Sequence, residues 1–533
     1  MQQPSESVPE KTPDRFFLAY LLLTTMVCGA MVMVIEVLGS RVIGPFFGVS
    51  LFVWTSLISV AMVALALGYA LGGALSDRHG TANYLYLIIF CAGVLVFVIP
   101  WLKTSIIQFS VPYGLRLGSF ISASLLFGPS LFLLGCVSPY VVKIATLGMN
   151  NLGRTVGGFY AVSTMGSVAG TVLTGFILIA YLRVDQIFIL VGSVLMGLSL
   201  LYFALFMKKT PLAVAPLLLL LLPSPPSHTS QSLLLENGTQ VQLVEARDSH
   251  YGSIRVLDFS GDRFQSRELM IDGLIQGGMD LNSGYSTYEF VYYLQLLPYA
   301  IHPQGQRALI IGLGAGLMPM WYERQGITSD VVDIDPVVLE MARKHFGFSI
   351  RGDIYIEDAR YFLSRSTALY DYLILDVFNG DTTPGHLLSV EALKLMRQRL
   401  NAQGVLGINL AGSLQTESFM TASIIHTLRQ VFDQVEVYPV FDAHKSHGNL
   451  AVIAYQGEPR RKQLDKISQQ PIHPLAQQIV KQNLLRQVEP VSSRAPIILS
   501  DAYNPVDFFD SWLREEVRRG LMQQQQGYAQ LVY

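Results

Sequence analysis

The hydrophobic pattern of this chain changes character at one place, and that change limits what the chain can fold into. In the first half the apolar residues come in long runs: Phe16–Leu38, Leu51–Leu75, Tyr84–Leu102, Leu117–Ile144, Val156–Leu182 and Gln186–Met207. A bilayer is crossed by about 20 residues of helix, so these read as six spans. A seventh run, Pro211–Leu222, would cover only about 18 Å as a helix and is a short seventh at most. After Leu222-Pro223-Ser224-Pro225-Pro226-Ser227 the apolar residues fall into short alternating stretches, as in a water-soluble α/β domain. With 51% hydrophobic and 14% charged residues, the composition suits a membrane domain joined to a soluble one.

Basic residues set an expected orientation. With the N-terminus inside, Lys11, Arg15, Arg78, Arg154, Lys208 and Lys209 lie on the inner side, and Arg41, Lys103, Arg116 and Arg183 on the outer. The inner excess favours an inner-membrane, multi-pass protein with its second half in the cytoplasm. No small-residue cleavage site followed by polar chain marks the first run as a removable signal. Glu36 sits within the first run, where a carboxylate is costly and tends to face a cavity or a partner. Gly68/Gly72 and Gly166/Gly170 would let helices approach closely. The stretch Gly68–Gly80, with Asp77-Arg78, resembles the loop between helices two and three of the major facilitator superfamily.

The second half turns on Arg307–Pro336. The apolar run Ala308–Ile311 leads into Gly312-Leu313-Gly314-Ala315-Gly316, and a second run ends in Asp333-Ile334-Asp335. This is a strand, a glycine turn, a helix and a parallel strand with an acidic tip. Glycines let the backbone approach a ligand, and an acid at that tip can accept two ribose hydroxyls, so the ligand expected is an adenosine derivative. Two more acid-tipped strands follow, Ile354–Ile356 before Glu357-Asp358-Ala359 and Tyr370–Leu375 before Asp376. Val241–Ala246, Ser253–Leu257 and Glu268–Ile271 read as strands of a small antiparallel unit. Three cysteines in apolar segments and ten histidines without ligand spacing predict neither disulfides nor a metal, and a net charge of −2 predicts no nucleic-acid partner.

Tyr251–Asp258, Asp272-Gly273-Leu274-Ile275-Gln276, the glycine turn, Asp333-Ile334-Asp335, Glu357-Asp358-Ala359 and Tyr370–Asp376 occur in the order of the spermidine synthase (polyamine aminopropyltransferase) family. The chain resembles that family over about residues 235–460. Its first half looks like the membrane part of fused transporter-like/spermidine synthase proteins, through Ser138-Pro139-Tyr140 and Tyr160–Ser167. The resemblance implies a Rossmann-type, S-adenosylmethionine-dependent transferase-like domain. The co-substrate would be decarboxylated S-adenosylmethionine or S-adenosylmethionine, with no metal. Asp376 would be the proton acceptor. Gly312, Gly314, Gly316, Asp333, Asp358, Ala359, Gln276 and Gln240 would hold the nucleoside, and Tyr288, Asp381 and Pro384 an amine such as putrescine.

Several positions depart from the family pattern. Ala315 stands where members carry an amine-gripping aspartate, Asp381 follows Asp376 by five residues rather than three, and Lys445 falls near a pocket tyrosine. Losing carboxylates weakens a site for a dication. Methyl transfer, or an adenosyl-binding transporter or sensor without turnover, are the alternatives. The expected organisation is a disordered tail (1–15), a transmembrane domain (16–222), a linker (223–234), a small β unit (235–285), a spermidine synthase-like domain (286–460) and a C-terminal extension (461–533). Gln523–Gln526 is low in complexity and expected to be disordered. Besides the amine and the lipid bilayer, a homo-oligomer is among the expected partners.

Overall fold

The computed structural model describes residues 15–48, 51–146, 152–207, 232–261, 264–378, 383–414, 418–442, 445–509 and 511–532. Asp381, Pro211–Leu222 and the Pro/Ser segment lie outside the described residues. Two compact units divide at Ser227/His228.

The first unit is helical: α1 (Arg15–Phe47), α2 (Leu51–Arg78), α3 (Ala82–Phe97), α4 (Ile99–Ser110), α5 (Gly114–Leu126), α6 (Gly128–Ala145), α7 (Leu152–Leu173), the short α8 (Ile179–Tyr181) and α9 (Val184–Met207). Five helical segments are long and apolar enough to cross a membrane, and α3 with the stretch after it makes a sixth if that pair, bent by 64°, counts as one span. Two expected runs are broken where proline follows. Tyr84–Leu102 divides at Val98, ahead of Pro100, and Leu117–Ile144 divides at Phe127, ahead of Pro129. A proline has no N–H for the preceding turn, so a new helix starts around it. Gly72 of α2 lies against the Cys136 backbone of α6, and Gly166 of α7 against the Met26 backbone of α1; a Cβ at either would meet backbone within 2.6 Å and 2.1 Å. Asp77 pairs with Lys143 at 2.9 Å, tying the end of α2 to α6.

The second unit holds two sheets. The first is antiparallel in sequence order: β1 (Ser232–Leu234), β2 (Gln240–Asp248), β3 (Ser253–Gly261), β4 (Phe264–Ile271) and β5 (Leu274–Asp280). Asp272 and Gly273 turn β4 into β5 with positive φ at both residues, the backbone a two-residue hairpin needs. α10 (Glu289–Ile301) leads into the second sheet, which contains β6 (Arg307–Ile311), β7 (Thr328–Asp333), β8 (Ile354–Ile356), β9 (Tyr370–Leu375), β10 (Leu400–Ser413), β11 (Gln434–Pro439) and β12 (His447–Tyr455). Its spatial order is β11-β12-β10-β9-β6-β7-β8, parallel from β10 to β8, with β12 antiparallel to both its neighbours.

The parallel strands are apolar runs because both faces are covered. One face packs on α10, α11 (Leu317–Arg324) and α12 (Pro336–Phe346). The other packs on α13 (Ala359–Arg365), α14 (Val390–Gln398) and α15 (Phe419–Leu428). α12 shows how local chemistry sets an element: Asp335 caps its start, Arg343, Lys344 and His345 fill its last turn, and Gly347 ends it in the left-handed region.

Residues beyond 460 also pack on this unit, through α16 (Leu464–Ile467), α17 (Pro474–Asn483) and α18 (Val506–Phe509), and α19 (Ser511–Gln525) is hydrogen-bonded to it. The expectation of disorder at Gln523–Gln526 is corrected here, since α19 runs to Gln525, whose amide is buried and donates to the Gly273 carbonyl at 2.9 Å. Glutamine is a good helix former, and a polar side chain is ordered once it finds a buried partner.

Asp330 on β7 is 1% exposed and accepts from Arg307 Nη2 (2.7 Å), Tyr370 Oη (2.9 Å) and Asp353 N (3.0 Å). Breaking such a network leaves buried donors unmatched. Asp330→Ala should cost about 3 kcal/mol or more, read as a fall in the denaturation midpoint of the second unit within the full chain. An unchanged midpoint would refute the role given to this network.

Candidate active site

Strand order in the parallel sheet reverses about β6, which has β7 on one side and β9 on the other. Ligands of open α/β sheets bind beyond the carboxyl ends of the strands at such a reversal. Here β6 is followed by Gly312, β7 ends in Asp333 and β9 is followed by Asp376. Gly312 N donates to the Val332 carbonyl and Asp376 N to the Ile311 carbonyl, both at 2.8 Å, so the three ends are stitched together. A Cβ on Gly312 (φ 95°) would lie 2.1 Å from the Asp376 carbonyl oxygen, which is why this position takes glycine. Gly314 comes close to β5, where a Cβ would meet the Gln276 carbonyl oxygen at 2.7 Å.

A cavity of about 650 Å³ opens over these ends. Its walls include Gln276, Tyr288, Gly312, Gly314, Asp333, Asp358, Ala359, Asp376 and Pro384, nine of the residues singled out by sequence. Gly316 does not line it; with φ 78° it turns the chain into α11, and its α-carbon faces Phe348. Gln240 does not line it either. It is exposed at the start of β2, paired with Leu234 and Ser260, so the strand that was to deliver it runs along the far part of the small sheet.

The acids are held in different ways. Asp333 accepts from Leu313 N and Asp335 N, both at 2.8 Å, one bond to each oxygen. Burial pushes its carboxyl up to about 6 against the pull of these donors. The Ile334 backbone N–H also favours the charged form. Asp358 Oδ1 caps α13 through Tyr361 N at 2.9 Å, and His386 lies 3.4 Å from Oδ2. Asp376 Oδ1 accepts from Asn409 Nδ2 at 2.9 Å, and burial likewise raises its carboxyl to about 6. Tyr288 Oη donates to Glu268 at 2.8 Å, so its ring, rather than its hydroxyl, is offered to the cavity. Burial lifts Glu268 to about 7.

Asn409 is a site residue that sequence reasoning missed. It is 1% exposed on β10, its amide nitrogen orients Asp376, and its Oδ1 is a buried acceptor without a hydrogen-bond partner at the cavity wall. A lone asparagine within an apolar strand, Gly404–Asn409, was the available signal.

Such a crevice belongs to an α/β domain with buried carboxylates at the carboxyl ends of its parallel strands. Residues 290–446 match the spermine/spermidine synthase domain family. The second unit is spermidine synthase-like. The chain is 31% identical over 238 residues to an N-terminal histidine N-methyltransferase of Emericella nidulans, covering 40% of this chain and 42% of that protein. It is 29% identical over 217 residues to a polyamine aminopropyltransferase of Vibrio vulnificus, covering 39% and 70%. A probable spermidine synthase structure from Corynebacterium glutamicum aligns with a TM-score of 0.37 and 20% identity, over 46% of this chain and 88% of that one. The chain thus spans less than half the length of the first of these relatives.

Asp333→Ala should weaken binding of methylthioadenosine by about tenfold or more, since hydrogen bonds to a carboxylate contribute about 1.5–3 kcal/mol. Calorimetric titration of the full chain tests this, and an unchanged Kd would remove Asp333 from the nucleoside site.

Proposed function

We propose that the chain is a membrane-anchored alkyl transferase of the polyamine aminopropyltransferase type. It moves an aminopropyl group from decarboxylated S-adenosylmethionine to an amine such as putrescine and releases methylthioadenosine. The observation that carries this reading is Asp376, a buried carboxylate aimed by Asn409 into the cavity that Asp333 and the glycine turn also line. An ammonium has no lone pair, so the acceptor must lose a proton before it attacks. Asp376 takes that proton; the nitrogen then bonds to the methylene beside the sulfonium, and the C–S bond breaks with its electron pair left on sulfur as a neutral thioether. A carboxyl raised to about 6 is a better base than an ordinary aspartate yet is still mostly ionised at neutral pH.

In this reading Asp333 accepts the ribose hydroxyls, Asp358 and Ala359 meet the adenine edge, and Gln276 closes over the nucleoside from β5. Tyr288 and Pro384 bound the acceptor, and Asp381, which lies outside the described residues, is assigned to it as well. The five long apolar helices support anchoring in the inner membrane. The basic residues of the first half support a cytoplasmic second unit.

Methyl transfer is the second reading, favoured by Ala315. An acid at that place in the glycine turn would match a donor ammonium and repel the carboxylate of intact S-adenosylmethionine, and alanine does neither. The similarity to an N-terminal histidine N-methyltransferase points the same way.

Mass spectrometry of the purified chain with either donor and a panel of amines separates the two. Methylthioadenosine with an aminopropylated amine is expected; S-adenosylhomocysteine with a methylated product would move the assignment, and neither product would sink both readings. The rate should rise as pH passes about 6, where Asp376 ionises. Asn409→Leu should move that rise to higher pH, because a lost donor disfavours the charged carboxylate. Asp376→Asn should lower the rate about 100-fold or more while nucleoside binding is kept.

A further inference from the structure

The matched family segment ends at residue 446, but the cavity does not. Leu513, Val517 and Leu521, four residues apart along one face of α19, line it as well. Two buried side chains of the same helix fasten it to the hairpin between β4 and β5: Arg518 Nη1 donates to the Asp272 carbonyl and Gln525 Nε2 to the Gly273 carbonyl, each at 2.9 Å. That hairpin continues into Gln276, whose own carbonyl lies against Gly314 of the glycine turn. The apolar face of α19 therefore stands on the nucleoside side of the cavity, beside the turn that receives the donor. A second attachment holds the start of this segment, where Asn504 Nδ2 donates to the Gly385 carbonyl at 2.6 Å, one residue past Pro384.

From this geometry we infer that α19 is part of the donor site, its Leu513–Val517–Leu521 face forming an apolar wall against which the nucleoside packs. The inference rests on the nucleoside-donor reading above and adds a binding element that lies outside the matched family segment. Val517 is half-buried, as a side chain facing a cavity should be, whereas the latching Arg518 is 3% exposed and Gln525 1%. Filling the cavity would complete the burial of the wall, and a charge placed on it would have to be desolvated.

The test uses the full chain in detergent, with methylthioadenosine and S-adenosylhomocysteine as probes. Val517→Asp should raise both Kd values about tenfold and Val517→Ala about threefold, and amide exchange across 511–525 should slow when either nucleoside is added. Unaltered affinity in both variants, or exchange in α19 indifferent to nucleoside, would overturn the inference while leaving the proposed reaction standing. Failure of the unsubstituted chain to bind either nucleoside would overturn the proposed reaction and this inference with it.

Discussion

The second unit depends on one close approach, that of the Gly312 α-carbon to the backbone carbonyl of Asp376. No residue with a Cβ fits there, and the contact fixes how far apart the ends of β6 and β9 can lie. Because the order of strands reverses at this pair, the contact also sets the floor of the crevice. The glycine turn is then free to approach a ligand from one side while Asp376 faces it from the other. The ladders β6–β7 and β6–β9, in register over Ala308–Ile311, make the floor rigid, and a rigid floor is what a carboxylate base needs if it is to be aimed.

Holding two carboxylates over that floor has a thermodynamic consequence. Asp333 and Asp376 both sit near 6, above the ordinary aspartate value, so the folded state binds their protons more tightly than the unfolded chain does. Their contribution to stability is complete below the unfolded value near 4 and is lost as pH rises through about 6. Ionisation is the state the proposed chemistry uses. Function and stability thus pull in opposite directions across the same pH interval, and the strain is offset by donors that favour the charged form: Leu313 N and Asp335 N for one acid, Asn409 for the other.

What could be read from the sequence was what is local. The glycine turn, the acid-tipped strands and the capped helix α12 are each specified within a few residues, and the structure brings nine of the named site residues into one cavity. The breaks at Val98 and Phe127 were marked by prolines but hidden inside apolar runs, where mean hydropathy does not register a missing N–H. Asn409 and the wall on α19 were not legible because their meaning is long-range. Asn409 matters only once β10 lies beside β9, and Leu513, Val517 and Leu521 only once α19 is latched to a hairpin some 240 residues earlier in the chain.

The acids of the cavity also bear on the charge of the donor. Ala315 is 4% exposed and packs against β5, where a Cβ on Gly277 would come within 3.0 Å of its own, so that part of the turn is closed as well as uncharged. Among the described cavity acids, Asp272 accepts from Ser253 N, Asp335 is held by Ser249 and Val337 N, Glu357 is paired with Arg365, and Asp358 caps α13. With Asp333 assigned to the ribose in the proposed reading, Glu289 and Asp376 remain to face cations; burial raises both, and Lys445, also in the cavity wall, pulls Glu289 the other way. Among the described cavity acids, Glu289 and Asp376 are thus the ones left to meet the cationic groups of the proposed donor and acceptor.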